Sequence, residues 1–63
     1  MINLLRYYGK KVKIVSSSGQ EYIGWVSDYF PLEENENGME SIALENPPIE
    51  FYGKDIASIE IID

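Results

Sequence analysis

The stretch from Gly19 to Phe30 constrains this 63-residue chain more than any other. A turn residue, Gly19, opens it, and Pro31 ends it, since proline has no amide hydrogen for a ladder. Between them, bulky aromatic and β-branched residues alternate with small or polar ones, as in a pleated, half-buried strand. Gly24 sits mid-strand, where glycine weakens pairing unless the backbone bends or is closely approached. The stretch predicts one long, bent strand able to serve both halves of a small barrel.

Sixty-three residues make a single domain, 1–63. A domain this small buries only about 60% of the surface its unfolded chain exposes. The chain has no cysteine and no histidine, so disulfides and ordinary zinc sites cannot widen the margin. Packing or oligomerisation must do so. No apolar run is long enough to cross a membrane, and no secretory signal pattern precedes the domain. The expectation is a cytoplasmic protein without a membrane partner. With no phosphate-binding glycine loop and no convincing carboxylate pair either, the residues argue against an enzyme and against a cofactor.

Charge is unevenly spread. Residues 1–20 carry Arg6, Lys10, Lys11 and Lys13 and no acid, whereas the rest carries Lys54 and all eleven acids, for a net −6. The acidic total favours solubility and repels polyanions at long range. The basic segment offers a local anion-facing patch, or else its lysines merely flank a strand and stay in water.

Taken in order, residues 3–8 read as a short helix. Asn3 is its N-cap, Ile2 a staple, Leu4 and Tyr8 share a face, and Gly9 ends it. So short a helix must pack on something, and the open end of a barrel is the expected place. Strands are expected near 11–16, 21–30, 40–45, 49–52 and 56–62. Val12, Ile14, Tyr22, Val26, Ile42, Leu44, Phe51 and Ile59 should be largely buried. The Ser16–Ser18 run reads as a hairpin turn, and without histidine a serine nucleophile lacks its ordinary base. The acidic segment 31–40 does not match a calcium-loop spacing and reads as a solvated hairpin tip closed by Asn37-Gly38. Pro47-Pro48 breaks the ladder, and Gly53-Lys54-Asp55 is a tight connection. The predicted fold is all-β with one short N-terminal helix and a strongly bent five-stranded barrel.

Gly-x-x-Tyr-x-Gly-x-Val-x-x-Tyr (Gly19, Tyr22, Gly24, Val26 and Tyr29) resembles the first motif of the Sm/LSm family, which shares its SH3-like barrel. Phe51-Tyr52-Gly53-Lys54-Asp55-Ile56-Ala57-Ser58-Ile59 resembles the second motif, and Tyr52 also matches the tyrosine of the bacterial host-factor branch. The resemblance spans nearly the whole chain. It implies a ring-forming homo-oligomer in which the fourth strand of one copy pairs with the fifth of the next, placing Phe51, Tyr52, Ile59 and Ile61 at the interface. It also implies single-stranded RNA as a ligand. At the positions of the family's RNA pocket, however, this chain has Phe30, Leu32, Glu34 and Tyr52, and only Gly53 keeps the family residue.

Two functional classes follow, with single-stranded nucleic acid as the leading ligand class and a protein partner as the alternative. In the first, single-stranded RNA binds through Arg6, Lys10, Lys11 and Lys13, with Tyr7, Tyr8 or Tyr52 stacking bases and Gly53 and Lys54 nearby. In the second, the chain is a protein-binding adaptor or structural ring anchored by exposed Trp25, Tyr29 and Phe30.

Overall fold

A computed structural model of the chain describes residues 3–46 and 48–62. The expected Ile2 staple and the first proline of the Pro47-Pro48 break lie outside them. Five antiparallel strands form one sheet: β1 (Lys11–Ser16), β2 (Glu21–Phe30), β3 (Ser41–Leu44), β4 (Glu50–Tyr52) and β5 (Ile56–Ile61). The order across the sheet is β4-β3-β2-β1-β5. The architecture is a small, all-β, barrel-like domain. Strands β1 and β2 match the expected ranges, while β3, β4 and β5 stop one residue short at one or both ends.

Strand β2 serves both halves. Residues 21–25 pair with β1, and Val26 and residues 28–30 pair with β3. The handover falls between Trp25 and Val26, just past Gly24. Gly24 is buried, and a Cβ there would lie 3.1 Å from the Asn46 carbonyl oxygen. That approach is held by the Glu45 amide, which donates to the Trp25 carbonyl at 2.9 Å. One residue beyond the handover, the register slips between Val26 and Asp28. Such a bulge bends a strand and leaves one residue, here Ser27, without a ladder partner.

The core consists of Leu4, Val12, Ile14, Val26, Ile42, Leu44, Phe51 and Ile56. Two expected core residues are only half-buried. Tyr22 packs its ring edge-on against Phe51 at 5.2 Å, while its hydroxyl reaches out to Gln20. Ile59 lies on an end strand, so a neighbour covers it on one side only. Ile56 is buried although simple alternation from Ile59 would turn Ala57 inward. A register shift between Val15 and Ser16 brings Ile56 opposite Ser16 and resets the period.

The N-terminal helix is shorter and tighter than expected. It is a 3-10 turn, Leu4–Tyr7, whose Asn3 cap accepts from the Leu5 amide at 3.2 Å. Three residues per turn eclipse positions i and i+3, so Tyr7, not Tyr8, packs with buried Leu4, and Tyr8 stays exposed. Gly9 follows at φ +77, a conformation few other residues accept. As expected, the turn packs on the barrel, against β2 and β3. No helix among the described residues is long and apolar enough to cross a membrane.

Candidate functional site

Alternation along β1 sends Val12 and Ile14 into the core and Lys11, Lys13 and Val15 outward. The register then fixes their neighbours. Lys11 stands between Trp25 of β2 and Ile62, whose amide donates to the Lys11 carbonyl at 2.9 Å. Lys13 stands between Ile23 and Glu60, and Val15 between Glu21 and Ser58. The outer face of β2-β1-β5 is therefore a lattice of three rows. Trp25 (47% exposed), Ile23 (52%) and Ile62 (42%) give it apolar surface that nothing among the described residues covers. Lys13 is not a free cation, because its Nζ lies 3.5 Å from Glu21 Oε1. Glu21 is largely solvated and Lys13 is partly so, so this pair contributes at most about 1 kcal/mol.

Lys54 does not join the other basic residues. Lys10 and Lys11 are neighbours in the chain and Lys13 is two further along. Arg6 belongs to the N-terminal turn, where its guanidinium sits 5.4 Å from the Tyr7 ring centre. Tyr52 ends β4, and Gly53 and Lys54 open the 3-10 turn Gly53–Asp55 that links β4 to β5. The Ser17 amide donates to the Asp55 carbonyl at 2.9 Å, which fixes that turn beside the far end of β1. A five-residue step along a strand is about 17 Å, so Lys54 and Tyr52 stand well away from Lys11.

The interface residues implied by resemblance also separate. Phe51 is a core residue opposite Ile42, Tyr52 and Ile59 are half-buried, and Ile61 is exposed beside Val12. All four lie on β4 or β5, the two ends of the sheet order.

The aromatic trio splits as well. Without a bulge, Trp25 and Tyr29, four residues apart, would share a face. The slip at Ser27 turns Tyr29 inward, opposite Ile42, and Phe30 outward, in a row with Ser41 and Tyr52. Tyr29 and Phe30 are consequently half-buried, not exposed.

The outer face of β2-β3-β4 is covered around Ser41 by the chain's own acidic segment. Asn35 Nδ2 donates to the Met39 carbonyl at 2.7 Å and to Ser41 Oγ at 3.2 Å, and Ser41 Oγ donates to Glu50 Oε2 at 2.7 Å. Ser41 is wholly buried beneath this cover. The segment is thus more ordered than a simple solvated tip, with a 3-10 turn at Leu32–Glu34. Its last residue works inward. Glu40 Oε1 accepts from the Leu4 amide at 2.6 Å and Oε2 from the Tyr29 hydroxyl at 2.8 Å, pinning the N-terminal turn to the barrel. No cluster of metal-binding side chains occurs among the described residues.

The Glu40 hydrogen bond raises the Tyr29 pKa above its ordinary 10.0, with desolvation and the negative charges of Glu40 and Glu33 adding to it. The folded chain therefore keeps a proton that the unfolded chain gives up. This stabilisation is complete below the unfolded value of about 10 and is lost as pH rises through the folded value. Urea midpoints are expected to fall as pH is raised past about 10, less steeply in Tyr29→Phe than in the parent. Equal slopes in the two proteins would contradict the assignment.

Of the outward apolar residues, sequence reasoning singled out Trp25 but missed Ile23 and Ile62. The signal for Ile23 was present, since residues two apart on a strand share a face. No protein-family model matches the chain, and no curated protein or solved structure matches it.

Proposed function

We propose that this chain is a non-catalytic, Sm-like binding module that assembles with copies of itself into a ring through β4 and β5 and serves as a protein-binding or structural platform. The observation that carries the ligand class is the uncovered outer face of β2-β1-β5. Aliphatic Ile23 and Ile62 beside Trp25 suit a protein surface, where aromatic anchors dominate binding. Of the two lysines among them, Lys13 is flanked by Glu21 and Glu60, which weakens its pull on a polyanion. The ring rests on a separate feature: an end strand with unsatisfied backbone groups is a template for another chain, and a head-to-tail pairing that closes gives a cyclic oligomer. The short N-terminal turn, the bent β2 and the one-turn link between β4 and β5 all support the Sm-like reading. A cytoplasmic location is part of this proposal.

Single-stranded RNA is the second reading, favoured by Lys11 standing directly beside Trp25, a cation next to a stacking ring. Two measurements test these readings. Light scattering in dilute buffer should find more than one chain per particle, and Ile59→Lys should weaken assembly; a monomeric parent protein overturns the ring. Labelled poly-U and poly-A oligonucleotides should fail to bind even at low salt. Binding that falls with salt, at a slope of about −0.7 per phosphate contact, would replace the protein-binding reading with the RNA reading.

A further inference from the structure

The uncovered face has a complement on the same chain. The 3-10 turn after β2 presents Leu32, 49% exposed, followed by exposed Glu33 and Glu34. No ion pair involves these two carboxylates among the described residues, and none involves Lys11. One surface thus offers an apolar side chain with two carboxylates behind it. The other offers Trp25, Ile23 and Ile62 around the ammonium of Lys11, with that of Lys13 shared with Glu21. A nucleic acid would leave the isoleucines without aliphatic contacts, whereas the leucine turn covers them.

The two surfaces do not satisfy each other within one chain. Trp25 and Leu32 are both half-exposed, and the bulge at Ser27 lies between Trp25 and the end of β2 that the turn follows. We propose that the outer face of β2-β1-β5 docks a second copy of this chain, which seats its Leu32–Glu34 turn there. Leu32 packs among Trp25, Ile23 and Ile62, and Glu33 and Glu34 approach Lys11 and Lys13. Each copy carries both halves, so the contact is heterologous and propagates head to tail. It deepens the self-association reading above but uses a different surface, since it involves neither β4 nor any edge pairing. A single turn on one sheet face buries less than the roughly 1,000 Å² of a stable complex. The contact is therefore weak alone and gains strength when an assembly repeats it.

Trp25 is the only tryptophan, so its fluorescence reports on this face directly. In the full chain, emission should shift to shorter wavelength with rising protein concentration at low salt, and high salt should reverse the shift. The double variants Lys11→Glu/Lys13→Glu and Glu33→Lys/Glu34→Lys should each lose the shift while keeping the parent's circular dichroism. An equimolar mixture should regain it, because each variant then meets the opposite charge on the other. Leu32→Ser, an exposed change, should lose the shift without any charge change. Ile59→Lys should keep it, so failure of the ring and failure of this contact read out separately. A concentration-independent Trp25 emission in the parent overturns the proposal, as does a mixture of two folded variants that stays unshifted. A shift produced only by added oligo-U would assign the face to nucleic acid instead.

Discussion

Leu4→Ala is expected to cost about 2–5 kcal/mol, the range for emptying a fully buried leucine site. For a chain of this length the whole folding free energy is only about 3–9 kcal/mol at typical per-residue values, so the variant should lose a large part of its stability. Leu4 has no exposed surface and belongs to the core although it precedes the first strand. A four-residue turn cannot hold itself together. Leu4 is held by its side chain in the barrel and by its amide on Glu40. Removing the side chain loses apolar burial and loosens the turn that covers it, so the cavity cannot be refilled from outside. Urea denaturation followed by circular dichroism measures the effect. Leu5→Ala is the control, because Leu5 is 54% exposed and surface changes usually stay within about 0.5 kcal/mol. Equal effects from the two substitutions would mean that the turn is not part of the core.

Gly24→Val should destabilise by about 1–3 kcal/mol, the usual cost of overpacking. Two terms oppose each other here. Replacing a strand glycine stiffens the unfolded chain and so favours folding by about 0.4–1 kcal/mol. Against this, a Cβ would lie 3.1 Å from the Asn46 carbonyl oxygen, which is backbone and cannot rotate aside. Valine adds two methyl groups at the same spot, beside Leu44. The clash wins for valine, and Gly24→Ala should fall between valine and the parent. Thermal unfolding of all three orders them. A valine variant as stable as the parent would show that the segment after β3 yields and that the bend in β2 does not depend on glycine.

The strands were legible because their signals are local. Val12 and Ile14 alternate with lysines, Ile42 and Leu44 alternate with Ser41 and Ala43, and Gly19 and Pro31 mark where β2 must begin and end. The core was legible through the same period of two wherever a ladder runs unbroken. It failed for Ile56, beside the register shift in the β1-β5 pairing, and it placed Tyr22 and Ile59 too deep. Tyrosine keeps a hydroxyl that seeks a partner, and an end strand lacks cover on one side.

By itself, then, the sequence determined the element order, the bent central strand and its glycine, and the outward direction of Lys11 and Lys13. Each of these follows from residue type and spacing within a few positions. Only the tertiary structure decided that Trp25 and Tyr29 face opposite ways, since the slip at Ser27 arises in the pairing of two strands and leaves no mark on either alone. It also decided that Asn35 closes one outer face over Ser41 while Trp25, Ile23 and Ile62 stay open on the other. Alternation tells which side chains share a face, but which face finds cover depends on where a distant loop folds back, and that is a property of the whole barrel.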